Sequence, residues 1–316
     1  PTMMKSARIA VIDVGSNTVK LLVAERDAGG RPAAVLQRTL ETRISAGLSG
    51  TPPRLSAAGM QAGVDAIATL LANARDLRPD ATVLVATSAV RDAENGGEFR
   101  DRVLATTGHP LRILSGDEEA TFIGRGVRSD PALAGLTDFQ LFDLGGGSLE
   151  CLTFRDGHAT QALSLPLGCV RLTERFVRHP EAPLSHTDRS AIEAWVHQTL
   201  LASGCVPARP AVPQAVFAGG TMTTARAILG ARSGLPLERS SPRLEVTDLA
   251  RLLDEVAGLA LRERLTIPGL TAGRADVFPA ALATVLTVAA VGGYPAFQHT
   301  FHNLRWGIAA AHLDAD

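Results

Sequence analysis

Three cysteines in 316 residues, Cys151, Cys169 and Cys205, are too few and too irregularly spaced for a disulfide framework. No C-x-x-C pair occurs, which argues against a thiolate metal site as well. Cys151 and Cys169 lie in apolar segments and are expected as buried, inert thiols. Nor is there a run approaching the ~20 apolar residues that a membrane helix needs. The longest, residues 280–291, is interrupted by Thr284 and Thr287 and bounded by Pro279 and Gly292, so a buried core helix is expected. Charge of one sign is also missing: 31 Lys and Arg against 32 Asp and Glu leave a net charge of −1. That supplies no global attraction for nucleic acid or a membrane surface, so neither is an expected partner, and a polyanionic ligand would need a local basic patch. The sequence has no G-x-x-x-x-G-K-S/T loop and no G-x-S-x-G elbow, which disfavours P-loop and serine-hydrolase chemistry. His299 and His302 stand three apart with no third ligand in view. Only Pro1 to Ser6 precede the first strand pattern, so no signal peptide is expected and the cytoplasm is the expected compartment.

What is present is an internal echo. Arg8 to Glu25 reads as an apolar strand, the turn D-V-G-S-N-T and a second apolar strand. Phe139 to Phe154 repeats this order around D-L-G-G-G-S, and each copy runs into a hairpin turn, D-A-G-G at Asp27 and R-D-G at Arg155. Similar hairpins ~130 residues apart suggest two related lobes facing each other across a cleft.

Strands and helices alternate between the echoes. Ser56 is expected to cap a helix to about Leu77, followed by a strand from Thr82 to Ala86 and a helix from Phe99 to Thr107 stopped by Gly108. A strand from Leu111 leads to a helix capped by Asp117. In the second half Thr187 is expected to cap a helix to about Ala202, and a strand from Gln214 enters Gly219-Gly220-Thr221. Helices are expected at Thr223 to Leu229, Thr247 to Leu261, Ala275 to Val291 and Leu304 to His312. The alternation indicates α/β lobes.

A strand ending in D-x-G-x-x-S presents successive backbone N–H groups to one point and can hold phosphate oxygens without side-chain bulk. Gly15 allows close approach in the first turn, and Gly145, Gly146 and Gly147 in the second. Ser16, Asn17, Thr18 and Ser148 add polar donors. Asp13 and Asp143 end their strands beside the phosphates, where hard oxygen ligands suit Mg²⁺ or its waters. Gly220 and Thr221 open a helix whose free N–H groups and dipole form a third anion seat. Arg91 follows the end of a strand, where ligands collect in α/β sheets, and can grip phosphate oxygens bidentately. One of the paired glutamates, Glu118 or Glu119, is placed to accept a proton from an attacking water.

Together these segments resemble the exopolyphosphatase and guanosine-pentaphosphate phosphohydrolase family, within the actin, sugar-kinase and heat-shock ATPase fold superfamily. The likeness runs through I-D-V-G-S-N-T at Ile12, A-T-S-A-V-R-D-A-E-N at Ala86, S-G-D-E-E-A at Ser115, D-L-G-G-G-S-L-E at Asp143, A-G-G-T at Ala218 and N-L-R-W-G at Asn303. The resemblance implies two duplicated ribonuclease-H-like lobes: residues 1–125, joined by a C-terminal helix at 303–313, and residues 126–302. It further implies Glu119 as general base, Arg91 on substrate phosphate, and Asp143 with Glu150 binding or orienting Mg²⁺, or another divalent cation, and water. Expected substrates are inorganic polyphosphate or guanosine penta- and tetraphosphate.

Three departures from the family pattern stand out. Leu149 replaces the threonine of G-G-G-S-T-E, and Trp306 replaces the glutamate of G-L-R-E-G. The chain also ends at Asp316, without the extra helical region of long members, which favours short polyphosphate or the nucleotide. Arg171, Arg175, Arg178 and Arg274 are candidate basic contacts. The rivals are an ATP-dependent kinase and a non-catalytic alarmone sensor on the same fold. No interface stripe is visible, so a homodimer stays open.

Overall fold

The computed structural model describes residues 7–48, 50–206 and 214–314. Two compact units emerge: one holds the residues up to Gly135 and those from His302 onward, the other Leu136–Phe301. Both are α/β, each with one mixed sheet.

In the first unit, β1 (Arg8–Val14), β2 (Thr18–Arg26) and β3 (Pro32–Glu41) form an antiparallel meander. The turn between β2 and β3 is fastened by Asp27, whose Oδ1 accepts from the Gly29 and Arg31 amides at 2.8 Å. The chain continues through α1 (Ala57–Arg75), β4 (Ala81–Ala86), α2 (Ser88–Asp92), α3 (Gly96–Thr107), β5 (Leu111–Ile113) and α4 (Gly116–Arg128). β4 and β5 run parallel to β1, giving the order β3-β2-β1-β4-β5. Central β1 is buried along Ile9 to Ile12, as its unbroken apolar run requires. Ser56 caps α1 by accepting from the Gly59 amide, and Gly108 ends α3 in the left-handed conformation.

The second unit repeats this plan. β6 (Phe139–Leu144), β7 (Leu149–Arg155) and β8 (His158–Leu165) form the meander, followed by α5 (Cys169–Phe176), α6 (His186–Ser203), β9 (Ala215–Ala218) and α7 (Gly220–Arg232). Then come β10 (Arg243–Glu245), α8 (Val246–Gly258), α9 (Leu261–Arg264), α10 (Phe278–Gly292) and β11 (Ala296–His299). The sheet order is β10-β11-β9-β6-β7-β8, with β9 and β11 parallel to β6. The apolar run at residues 280–291 lies inside α10, a buried core helix. All three cysteines are free and buried. No helix among the described residues is long and apolar enough to cross a membrane.

Several local expectations shift. α4 is capped by Ser115, not Asp117: Ser115 Oγ accepts from the Glu118 amide while Glu118 reaches back to the Ser115 amide. Asp117 is already inside the first turn. Likewise Ser185, not Thr187, caps α6. α7 starts at Gly220, three residues before the apolar pattern, and α10 starts at Phe278 because residues 271–277 coil before Pro279 can occupy a helical first turn. α4 also runs unbroken past residue 125 to Arg128. The third meander strands, the short strands β10 and β11, and α5 had no clear periodicity to announce them.

The last helix, α11 (Leu304–Leu313), packs on β1, β2 and α4. It crosses α4 where two glycines face each other's backbone. A methyl at Gly307 would collide with the Phe122 carbonyl, and one at Gly126 with the Asn303 carbonyl. Gly307→Ala is therefore expected to destabilise the chain by about 1–3 kcal/mol, the usual cost of forced overpacking, measured by urea unfolding. A midpoint unchanged from the parent would show that the helices can separate freely.

Candidate functional site

Each unit carries one of the echoed turns. In the first, the Gly15 amide closes the turn onto the Thr18 carbonyl at 3.0 Å. Ser16, Asn17 and Thr18 are buried and partly committed. Ser16 Oγ lies 3.3 Å from Ser88 Oγ at the start of α2, and Asn17 Oδ1 accepts from Arg43 Nε at 3.0 Å. Three residues beyond Ser88, Arg91 turns toward α4. Its Nη1 donates to Glu119 Oε2 at 2.8 Å and to the Leu114 carbonyl at 3.0 Å.

This geometry separates the paired glutamates. Glu118 is exposed, held in the capping box and paired with Arg112, and its carboxyl is held below the usual range first by the Ser115 amide and then by Arg112. Glu119 is only 6 % exposed and held by Arg91. Of the two, it is Glu119 that is buried against the arginine.

Asp13 stands directly across the β1–β2 ladder from Lys20. Its Oδ1 is buried without a hydrogen-bond partner. Burial pushes its carboxyl above the ordinary carboxylate range, while Lys20 and Arg305 pull it back. Arg305, itself buried, is anchored by the Leu21 carbonyl at 3.0 Å.

In the second unit the corresponding ladder position pairs Asp143 with Glu150. Directly opposed residues of an antiparallel pair project to one face, so two buried carboxylates share it. Ser164 Oγ donates to Glu150 Oε1 at 2.7 Å. The alternation of Lys20 in one copy and Glu150 in the other turns a self-neutralising pair into a doubly acidic one. Such a hard-oxygen pair fits a divalent cation of the Mg²⁺ type, which commonly takes one or two carboxylates and completes its shell with water and phosphate. Among the described residues no group of three or more His, Cys, Asp or Glu is arranged to hold a metal. Asp13, by contrast, already has two positive neighbours.

The glycine turn is oriented by α5. The carbonyls of Gly145 and Gly146 accept from the amides of Cys169, Val170 and Arg171 at 2.9–3.1 Å, and Gly147 O accepts from Arg171 Nε at 2.8 Å. With the carbonyls drawn to one side, the Gly146 and Gly147 amides have no protein acceptor among the described residues. Gly168 permits this contact, because a methyl there would strike the Gly146 and Gly147 backbone. Beside Asp143 the chain turns at Gly219, with φ of +95°, where a Cβ would lie 2.5 Å from Asp143 Oδ1. α7 begins at Gly220, over which the Arg274 guanidinium sits in the space a methyl would take. Thr221 Oγ1 is buried without a partner.

The structure thus groups Asp13, Gly15, Ser16, Asn17, Thr18, Arg91 and Glu119 in the first unit. In the second it groups Asp143, Gly145, Gly146, Gly147, Ser148, Glu150, Gly220 and Thr221. Lys20 was missed, although aligning the echoed turns gives it the position that Glu150 holds in the second copy. Of the four arginines raised from sequence, Arg171 and Arg274 border the turns. Arg178 instead pairs with Asp188 at 2.9 Å, and Arg175 stacks 3.8 Å from the Trp195 ring centroid. His299 bonds within the protein to Thr223 and approaches Arg226, and His302 stacks on Trp306.

A model of the Ppx/GppA phosphatase family matches residues 22–291. Among solved structures, an exopolyphosphatase from Cytophaga hutchinsonii superposes with a TM-score of 0.86 at 24% identity, covering 98% of both chains. A Ppx/GppA family member from Aquifex aeolicus gives 0.80 at 22% identity, over 98% of this chain and 99% of that one. These two likenesses show a shared fold. An exopolyphosphatase-like protein, 25% identical, gives 0.87 over 98% of each chain.

The raised Asp13 carboxyl has a consequence for stability. The folded chain holds this proton more tightly than the unfolded chain, so stability falls as pH rises from about 3.8 through the folded value. Asp13→Asn removes that penalty. In urea unfolding with EDTA, the variant should match the parent near pH 3.8 and exceed it at pH 7. A variant less stable by the same margin at both pH values would contradict this.

Proposed function

The chain belongs to the Ppx/GppA phosphatase family and is a hydrolase of phosphoanhydride bonds, and on that premise we propose that it removes the terminal phosphoryl group of inorganic polyphosphate, short chains foremost. The observation that carries this reading is Glu119, buried in the first turn of α4 and held at 2.8 Å by Arg91. A fixed inward carboxylate can orient a water and take its proton as that water attacks phosphorus. A kinase would need an acceptor hydroxyl in the water's place.

The other residues serve charge. As the bond to the leaving phosphate breaks, negative charge spreads over the transferring oxygens, and fixed donors aimed there lower the barrier. In the second unit these donors are the Gly146 and Gly147 amides, with Ser148, the start of α7 at Gly220 and Thr221, and Arg274. In the first unit they are the turn from Gly15 to Thr18 and the terminal nitrogen of Arg91 not engaged with Glu119. Arg91 was expected on phosphate alone; its bond to Glu119 adds the task of positioning the base. Asp143 and Glu150 would hold a divalent cation, Mg²⁺ foremost, with Ser164 fixing Glu150. When bound, the cation supplies positive charge to phosphate oxygens and acidifies its waters. Asp13, which Lys20 and Arg305 pull back toward its charged form, is a further hard-oxygen candidate for a divalent cation or its waters. Leu149 puts a side chain without a hydroxyl next to Ser148, which bears on substrate choice more than on turnover.

Guanosine pentaphosphate presents the same terminal group and is the competing substrate. The near-zero net charge supports short chains over a long polyanion.

Glu119→Gln should lower turnover by at least about 10²-fold, the order of loss seen when one catalytic electrostatic partner is removed, while substrate affinity stays within a few-fold. Near-parental turnover would remove Glu119 from the role of base. Phosphate release by the parent chain, with Mg²⁺ present, should be faster from short polyphosphate than from long polyphosphate, guanosine pentaphosphate or ATP. Faster release from the nucleotide would assign it as the substrate instead.

A further inference from the structure

Two arginines are buried among the described residues of the second unit, and the fold treats them differently. Arg264 is 2 % exposed. Its guanidinium donates to five carbonyls, of Leu259, Ala275, Asp276, Pro180 and Ala182, one for each N–H it possesses. Arg226, on α7, is 6 % exposed and makes three such bonds. Nε donates to Ser240 Oγ at 2.9 Å, Nη2 to the Ser240 carbonyl at 2.7 Å, and Nη1 lies 3.3 Å from His299 Nδ1. One N–H on each terminal nitrogen is left without an acceptor among the described residues.

The charge is unanswered as well. The ring of Phe301 lies 5.0 Å from the guanidinium carbon, and every hydrogen-bonding partner of Arg226 is neutral. His299 stays neutral, its pKa pushed to about 3 by burial and then by Arg226 itself. With Nδ1 facing Arg226, Nε2 carries the proton toward Thr223 Oγ1 at 3.2 Å. No carboxylate pairs with Arg226 among the described residues; Glu238 acts on it only from beyond ion-pair distance. A buried cation without a counter-charge is costly, so its retention asks for a reason.

Arg226 lines a cavity of about 350 Å³ with Arg232, Ser233, Leu235, Ser241 and Arg243. The acids on its wall are spent elsewhere. Glu245 pairs with Arg243 at 2.7 Å and Asp248 with Arg251 at 3.1 Å, while Arg232 is held by Glu255 at 2.8 Å. Arg226 is thus the cavity's one cation with no carboxylate, among the described residues, and it brings an uncommitted N–H on each terminal nitrogen.

We propose that this cavity binds a tetrahedral oxyanion of the phosphate class, seated on the Arg226 fork. Two N–H groups on adjacent terminal nitrogens match two oxygens of such an anion, which is the arrangement arginine uses for phosphate. The volume is at the lower end of small-molecule sites, with room for the anion alone or for the head of a small phosphorylated compound. The site is separate from the residues assigned to hydrolysis and stands whether or not that reading holds.

The test is crystallographic, with tungstate as the phosphate mimic, on the full chain. An anomalous peak is expected within hydrogen-bond distance of Arg226 Nη1 and Nη2. Its absence overturns the proposal, whatever tungstate binds elsewhere. Arg226 also braces Ser240 and His299, so the companion variants leave it in place. Leu235, exposed on the cavity wall, is changed to Glu or to Gln. The added charge of Leu235→Glu should abolish the peak and weaken inorganic phosphate binding at this site on the order of tenfold, while neutral Leu235→Gln leaves both unchanged. Equal binding by the two variants would also overturn it. Soaks with a nucleoside monophosphate divide the sources: density beyond the phosphoryl group identifies a phosphorylated compound, and phosphoryl density alone identifies the free anion, each upholding the seat.

Discussion

The orientation of one glycine turn governs what the second unit can do. Backbone amides and carbonyls come in equal number, and a buried turn normally satisfies both. Here the start of α5 takes the carbonyls of Gly145, Gly146 and Gly147, leaving adjacent amides for something outside the chain. Gly168 and Gly219 are small because the turn and Asp143 fill the space where their side chains would go. Any residue with a Cβ at those places would move either the turn or the acid. The glycine content around this region is thus a packing requirement of the turn and of the acid beside it.

The two copies of the hairpin share a backbone and differ in charge. Asp13 faces Lys20 and Asp143 faces Glu150 at the same ladder position. One difference in register separates a turn with a Lys–Asp pair from one with two acids. Trp306 and Leu149, the departures from the family pattern, are both buried and apolar in effect. Trp306 stacks on His302 with ring centroids 3.7 Å apart.

Much of this was legible in the residues. The echoed turns, the strand ends and the glycine-rich helix start are short patterns whose chemistry is local, and they predicted the α/β units and the paired strands flanking each turn. The choice between Glu118 and Glu119 was not local: it depends on Ser115 taking one glutamate into a cap and on Arg91 arriving from another element. The short strands β10 and β11 escaped because β10 lies among Ser, Pro and Arg and β11 follows Gly-Gly-Tyr-Pro, so neither shows the apolar run that announced the equally short β5 and β9. Arg226 escaped for a different reason. Its significance is the lack of a partner, and a lack of contacts appears only after Ser240 and His299 have been brought to it by tertiary folding.

The return of α11 to the first unit has a bearing on how the chain is made. The second unit is one continuous stretch, Leu136–Phe301, whereas the first is assembled from both sides of it. During synthesis the second unit can therefore complete its core as soon as it clears the ribosome. The first must wait, with the faces of β1, β2 and α4 that α11 covers still exposed to water. The later-translated unit is the earlier one able to finish folding, and the interval between them is the time needed to translate the last helix.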